Sequence, residues 1–211
     1  VACALHPLLR MSGRSGRSIA PLMVGCGGSG NNAGGADKTP EEYTEAYKTA
    51  IESARDDELV RLGRRHRFAD VRRTVEEAQR AGLSNLSLDL MLAIPGQTED
   101  TAVASARTAA ALGARHVSAY LLKIEEGTPC YRQRDRLSLP NDEETADRYL
   151  AVCHALEEAG LIQYEISNFA HSGFESRHNR KYWLAEDTLG LGPAAHSFLD
   201  GRRLKNPRSL E

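Results

Sequence analysis

Two short segments in the second half of the chain gather several side chains that could do chemistry. Tyr164–Phe169 reads Tyr-Glu-Ile-Ser-Asn-Phe, and His178–Trp183 reads His-Asn-Arg-Lys-Tyr-Trp and holds the single tryptophan of the chain. In a helix, His178 and Tyr182 would share one face because they are four residues apart. This concentration of polar, titratable and aromatic groups predicts a bound molecule. The alternatives are an ordinary strand ending in a turn, and a core tryptophan beside a locally hydrogen-bonded His178.

A third candidate lies in a segment with the two-residue period of a β-strand. Ser87, Asp89 and Met91 form its polar face, and the opposite face consists of Leu86, Leu88, Leu90 and Leu92. Strands of a parallel sheet are usually apolar on both faces, so an aspartate in mid-strand is unexpected. An ionised carboxylate facing a closed core is strongly unfavourable. We therefore expect Asp89 to face a cavity or a ligand, and a salt bridge inside the fold is the alternative.

The remaining patterns predict an α/β fold. The strands Leu86–Leu92 and His116–Ile124 enclose a helix capped by Thr98, and this β-α-β unit should have parallel strands and a right-handed crossover. A short strand is expected over Gln163–Ser167. The predicted helices cover residues 39–55, 56–62, 68–81, 98–112 and 141–160. The first of them is indicated by Pro40 directly after a threonine cap and before two glutamates.

Composition excludes several classes of protein. The chain has 211 residues and a formal net charge of −2, which argues against a broad nucleic-acid surface. It has no apolar run of the roughly 20 residues that span a bilayer. Residues 1–38 are rich in Gly and Ser and are expected to be a flexible or non-native leader. The chain begins with Val rather than Met, and we expect it to be a truncated form.

Eight segments together resemble HemW-like radical S-adenosylmethionine (SAM) haem chaperones, which are related to oxygen-independent coproporphyrinogen III oxidase. The resemblance covers roughly residues 53–206, and the segments occur in the order and spacing of the family. They are Ser53–Leu59, Leu62–His66, Asp89–Thr98, His116–Tyr120, Glu125–Pro129, Tyr164–Phe169, His178–Trp183 and Gly190–Gly192.

This resemblance implies a partial (β/α) radical-SAM barrel over residues 39–132 and the start of a smaller α+β C-terminal region over residues 133–211. It places Asp89 at the ribose of SAM and Arg64 near the methionyl carboxylate, a suitable partner for a guanidinium. The alternative for Arg64 is a solvated residue at a helix end. Weaker SAM contacts are implied for Met91, Lys123 and His196.

The resemblance also implies that the C-terminal segments bind haem. His178 becomes the candidate axial ligand of the haem iron, and the implied haem site consists of His178, Asn179, Tyr182 and Trp183. His171 and His196 remain alternative iron ligands. The implied partners are proteins that accept haem, and the expected location is the cytoplasm. Decarboxylation of coproporphyrinogen III is the alternative function.

The chain departs from this family in one respect that matters for chemistry. Radical SAM proteins hold a [4Fe–4S] cluster with a Cys-x-x-x-Cys-x-x-Cys motif, and this sequence has no such motif. Its cysteines are widely spaced, at Cys3, Cys26, Cys130 and Cys153. We therefore expect no cluster in this chain and leave its status as an enzyme open. A non-functional gene remnant is a third interpretation. A barrel without its early strands should also expose apolar strand faces and have low stability.

Overall fold

The computed structural model describes residues 47–209, so the leader and the first eight residues of the predicted helix 39–55 lie outside the described residues. Seven strands are present in this part of the chain: β1 (Tyr47–Glu52), β2 (Leu86–Leu92), β3 (His116–Leu121), β4 (Ile162–Glu165), β5 (Asn168–Ala170), β6 (His196–Leu199) and β7 (Arg202–Lys205). The helices are α1 (Asp56–Arg61), α2 (Phe68–Arg80), α3 (Glu99–Ala111), α4 (Pro129–Arg132), α5 (Asp142–Glu158) and α6 (Arg177–Trp183).

The strand β1 corrects the sequence prediction, which placed residues 47–52 in a helix. β1 pairs in parallel with β2, with Thr49 opposite Leu88, and Ile51 is completely buried. The cap-like residues before Glu41 gave a local helix signal, and local propensity is weak enough for a sheet partner to override it. The chain therefore contributes three parallel strands rather than two.

The main sheet has five strands in the order β1-β2-β3-β5-β4. β1, β2 and β3 are parallel, whereas β5 runs antiparallel to β3 and β4 antiparallel to β5. This confirms the α/β fold class and the parallel pair predicted around the helix α3. The strand predicted at residues 163–167 is confirmed for residues 163–165, which belong to β4, whereas residues 166 and 167 form the turn to β5. Both short strands join the same sheet as β1–β3.

One face of the main sheet carries the hydrophobic core. The four leucines of β2 are buried there together with side chains from α2, α3 and α5, namely Val71, Val75, Ala78, Ala102, Ala106, Ala109, Val152, Ala155 and Leu156. The predicted starts of α3 and α5 are confirmed, because the side chains of Thr98 and Asn141 accept hydrogen bonds from the backbone N–H groups of the third residues of these helices. Because helices cover this face, the expectation that apolar strand faces would be exposed is wrong for β2.

The last two strands form a separate hairpin, β6–β7, with an additional bridge between Thr188 and Phe198. The glycine-rich loop before it lies against the protein's own backbone. A Cβ atom at Gly190 would approach the carbonyl oxygen of His196 to 2.3 Å, so only glycine fits without a shift. The loop therefore approaches the backbone of β6 closely.

Candidate functional site

The second face of the main sheet is polar, and we call it the polar sheet face. Asp89 lies beside Ala50 of β1 and Ser118 of β3 in the strand register. The carboxyl ends of β1, β2 and β3 lie at the same edge of the sheet, because the three strands are parallel. The polar sheet face consists of Lys48, Ser87, Asp89, Met91, His116, Ser118 and Tyr120. Side chains from three strands can therefore act on one ligand there.

Asp89 forms an ion pair with Lys48, whose Nζ lies 3.2 Å from Oδ1 of the carboxylate. The Asp89 side chain is 20% exposed and that of Lys48 is 40% exposed. Burial raises the pKa of Asp89 above its usual value, and the ammonium group of Lys48 offsets part of this effect. The structure thus shows the ion pair that the sequence left as an alternative.

Replacing Asp89 by asparagine should stabilise the protein at pH 7, because the amide avoids the burial of a charge, and the gain should be about 0.5–2 kcal/mol, as for other single stabilising substitutions. A carboxyl with a raised folded-state pKa stabilises the fold at low pH, and this contribution is lost as the pH rises through the folded pKa. Urea denaturation at pH 7 and near pH 4 measures the change. Asp135→Asn, in an exposed surface pair with Arg134, is the matched control. A less stable D89N protein at pH 7 would contradict the prediction.

Arg64 is held at the end of β1 by Glu52, a residue that the sequence patterns did not single out. The Nε–H of Arg64 donates to Oε2 of Glu52, and Glu52 is buried with a backbone φ of 55°. The carboxylate of Glu52 also helps to raise the pKa of Asp89, so the two acids lie near each other. Glu52 was overlooked because residues 47–52 were predicted to be helical. The only local signal was a charged residue that directly follows the apolar Ala50 and Ile51.

The other three residues implied for SAM lie in different places. Met91 is on the polar sheet face, partly exposed. Lys123 follows β3, where its Nζ is 2.9 Å from Oε1 of Glu125, and it lines an open pocket of about 420 Å³ with Ala93 and Leu121. His196 is exposed at the start of β6 in the separate hairpin. The structure therefore brings Arg64, Asp89 and Met91 to one end of the sheet, and His196 belongs to another element.

The segment implied for haem forms the helix α6. His178 and Tyr182 lie one turn apart, and their rings are in edge-to-face contact with centroids 4.9 Å apart. Both side chains are exposed. Trp183 instead donates a hydrogen bond from Nε1 to Oε2 of Glu165, at 3.1 Å, and Asn179 interacts with the hydroxyl of Tyr164. The four residues implied for haem thus divide into a ring pair that contacts itself and a pair that hydrogen-bonds to β4, although Trp183 is still 55% exposed.

The fold defines the class of this protein: it is the α/β fold of a radical SAM protein fragment. The structure is similar to the radical SAM enzyme coproporphyrinogen III oxidase of Escherichia coli, with a TM-score of 0.60 over 77% of this chain and 41% of that one. The sequences are 15% identical, so this likeness shows the fold alone.

Sequence comparison is more specific. The chain is 42% identical to the heme chaperone HemW of Bacillus subtilis over 158 residues, which is 74% of this chain and 42% of that protein. It is 37% identical over 152 residues to the mitochondrial radical S-adenosyl methionine domain-containing protein 1 of Danio rerio, 71% of this chain and 34% of that protein. By these matches, the chain is similar to HemW-like radical SAM proteins over about 150 residues, and this confirms the resemblance that its motifs predicted.

The chain spans less than half the length of the curated relatives it matches. No protein-family model matches it. None of the helices within residues 47–209 is long and apolar enough to cross a membrane.

Proposed function

We propose that this chain binds haem through α6, with His178 as the axial ligand of the iron. The observation that carries the proposal is the exposed edge-to-face pair of His178 and Tyr182 on one side of the helix. Within residues 47–209, the imidazole of His178 makes no hydrogen bond, so a ring nitrogen is available to a metal. Tyr182 adds apolar ring surface beside it. The relatives named heme chaperones support haem as the ligand.

The charges of α6 suit the same ligand. Arg177 and Lys181 lie one turn apart, next to the face that carries His178 and Tyr182, and Arg180 adds a third cation. None of these three has an ion-pair partner within the part of the chain that the structure describes. Haem carries carboxylate side chains, and cationic side chains next to an apolar ring surface would bind them.

Haem titration of the full chain tests the proposal. Replacing His178 by alanine should weaken haem binding by about tenfold, which corresponds to about 1.4 kcal/mol, and should change the Soret spectrum because the iron loses its imidazole. The matched control is His154→Ala, because His154 is also an exposed histidine on a helix, α5.

The alternative ligands are tested in the same way. His171 lies against Gly160, where its Cε1 would be 3.3 Å from an added Cβ atom, and His196 is exposed on β6. We expect His171→Ala and His196→Ala to behave like the control. If His178→Ala and His154→Ala have the same Soret spectrum and affinity as the unchanged chain, His178 is not the iron ligand.

For SAM, we propose that the carboxylate of Asp89 accepts from the ribose hydroxyls and that Arg64 binds the methionyl carboxylate, with Met91 and Lys123 nearby. The groups fit this task, because a carboxylate and a guanidinium lie at the same end of three parallel strands, each close to an oppositely charged residue. Together with a reduced [4Fe–4S] cluster, SAM supplies a 5′-deoxyadenosyl radical in this family. Transfer of haem to acceptor proteins, a cytoplasmic location and a domain boundary near residue 132 remain predictions.

A further inference from the structure

The start of α6 is tied to the main sheet through one tyrosine. The hydroxyl of Tyr164 on β4 accepts a hydrogen bond from the backbone N–H of Ser176, at 3.2 Å. Ser176 is the N-cap of α6, and its own side chain accepts from the N–H of Asn179. The same hydroxyl lies 2.8 Å from Nε2 of His116 on β3. The first turn of α6 is therefore connected to a strand at the centre of the sheet.

The neutral state of His116 is compatible with one consistent set of directions for these hydrogen bonds. Burial lowers the pKa of His116 to about 4, so the imidazole is neutral at pH 7. Its Nδ1 lies 2.9 Å from the hydroxyl oxygen of Ser87. A neutral ring that donates from Nδ1 to Ser87 leaves Nε2 as an acceptor for the hydroxyl proton of Tyr164. The oxygen of Tyr164 then remains free to accept from Ser176.

The end of α6 is tied to the neighbouring residue of the same strand. Oε2 of Glu165 accepts from the indole N–H of Trp183, at 3.1 Å. Its other oxygen accepts from the backbone N–H of Ser167, at 3.0 Å, and from the side-chain amide of Asn168, which is buried in β5. The carboxylate is thus fixed by the turn between β4 and β5 and presents one oxygen to the helix.

Two adjacent strand residues normally point to opposite faces of a sheet. Here the pairing register of β4 with β5 shifts between Gln163 and Glu165. An irregularity of this kind re-aims a side chain, so that Tyr164 and Glu165 both reach α6. They meet the first turn and the last turn of a helix only seven residues long.

We propose that Tyr164 and Glu165 are positioning residues that hold the two ends of α6 and thereby fix the direction of the His178 and Tyr182 side chains. Asn179 and Trp183, four residues apart, form the anchored side of the helix, and His178 and Tyr182 lie about 100° around it. The role of the anchoring in positioning His178 for haem rests on the proposed haem site, but the anchoring of α6 itself is independent of haem. It assigns Asn179 and Trp183 to anchoring the helix.

The anchoring is tested without haem by hydrogen exchange of the full chain. Tyr164→Phe removes the hydroxyl and keeps the ring, and Glu165→Gln removes the charge and keeps the shape. Each should accelerate amide exchange in a peptide spanning α6 by roughly three- to tenfold, the effect of one lost hydrogen bond. Tyr131→Phe is the control, because the hydroxyl of Tyr131 donates to the exposed Glu126 away from α6. Exchange equal to the control in both variants would overturn the proposal.

The purpose of the anchoring is tested by haem titration of the same proteins. Tyr164→Phe and Glu165→Gln should each weaken haem binding by roughly threefold or more and shift the Soret spectrum toward that of His178→Ala, whereas Tyr131→Phe should change neither. Faster exchange in α6 with unchanged haem spectra would overturn the positioning role. If His178→Ala itself has no effect, the haem proposal fails, while the exchange result still decides the anchoring. Glu165→Gln serves alone if Tyr164→Phe does not fold.

Discussion

Replacing Phe169 by alanine is expected to destabilise the protein by about 4 kcal/mol, within the usual range for a fully buried phenylalanine. Phe169 is 0% exposed, lies in the middle of β5, and belongs to the same hydrophobic cluster as the leucines of β2. It sits opposite Val117 of β3 and Gln163 of β4. Its removal leaves a cavity between the sheet and its helices, and urea denaturation followed by circular dichroism measures the loss.

Phe174 provides the matched control for this substitution. It is 38% exposed, and its ring contacts the guanidinium of Arg115 at 5.3 Å from the centroid. Phe174→Ala should cost no more than about 1.5 kcal/mol, because it creates little cavity and removes one partly exposed contact. An equal loss of stability in the two variants would show that Phe169 does not belong to the core of the sheet.

The second large effect is a loss of stability in acid that is caused by His116. Burial lowers the pKa of His116 to about 4 from the ordinary histidine value of 6.5. The unfolded chain therefore binds this proton more tightly than the folded chain does. The stabilising contribution is complete above pH 6.5 and is lost as the pH falls toward 4. At 1.36 kcal/mol per pH unit, the loss reaches about 3 kcal/mol.

The pH dependence of the free energy of unfolding is best measured as a difference between the unchanged chain and the His116→Gln variant. His116→Gln can keep hydrogen bonds to Ser87 and Tyr164 but cannot titrate, so its free energy of unfolding should fall less between pH 6.5 and 4 than that of the unchanged chain. The comparison cancels the contribution of Asp89, whose raised pKa acts with the opposite sign. Identical pH profiles for the two proteins would mean that His116 is protonated in the folded state without cost.

The sequence predicted the elements that its local patterns encode. Alternating leucines defined β2, and the Thr98 and Asn141 caps defined the starts of α3 and α5, because both signals arise from neighbouring residues alone. The four-residue spacing of His178 and Tyr182 predicted their shared face, and the rings are in contact in α6. The ordered set of motifs also predicted the HemW-like resemblance, which the comparisons confirmed.

Only the tertiary structure decided which partners these residues have. β1 is a strand because β2 offers it a parallel partner, a contact nearly forty residues away that a local helix signal cannot include. The ion pairs of Asp89 with Lys48 and of Arg64 with Glu52 follow from that pairing. The two residues that anchor α6 reach it through a shift in the β4–β5 register. The spacing of residues along the chain determined which side chains share a helix face, whereas the packing of the strands decided which face is hydrogen-bonded to the sheet.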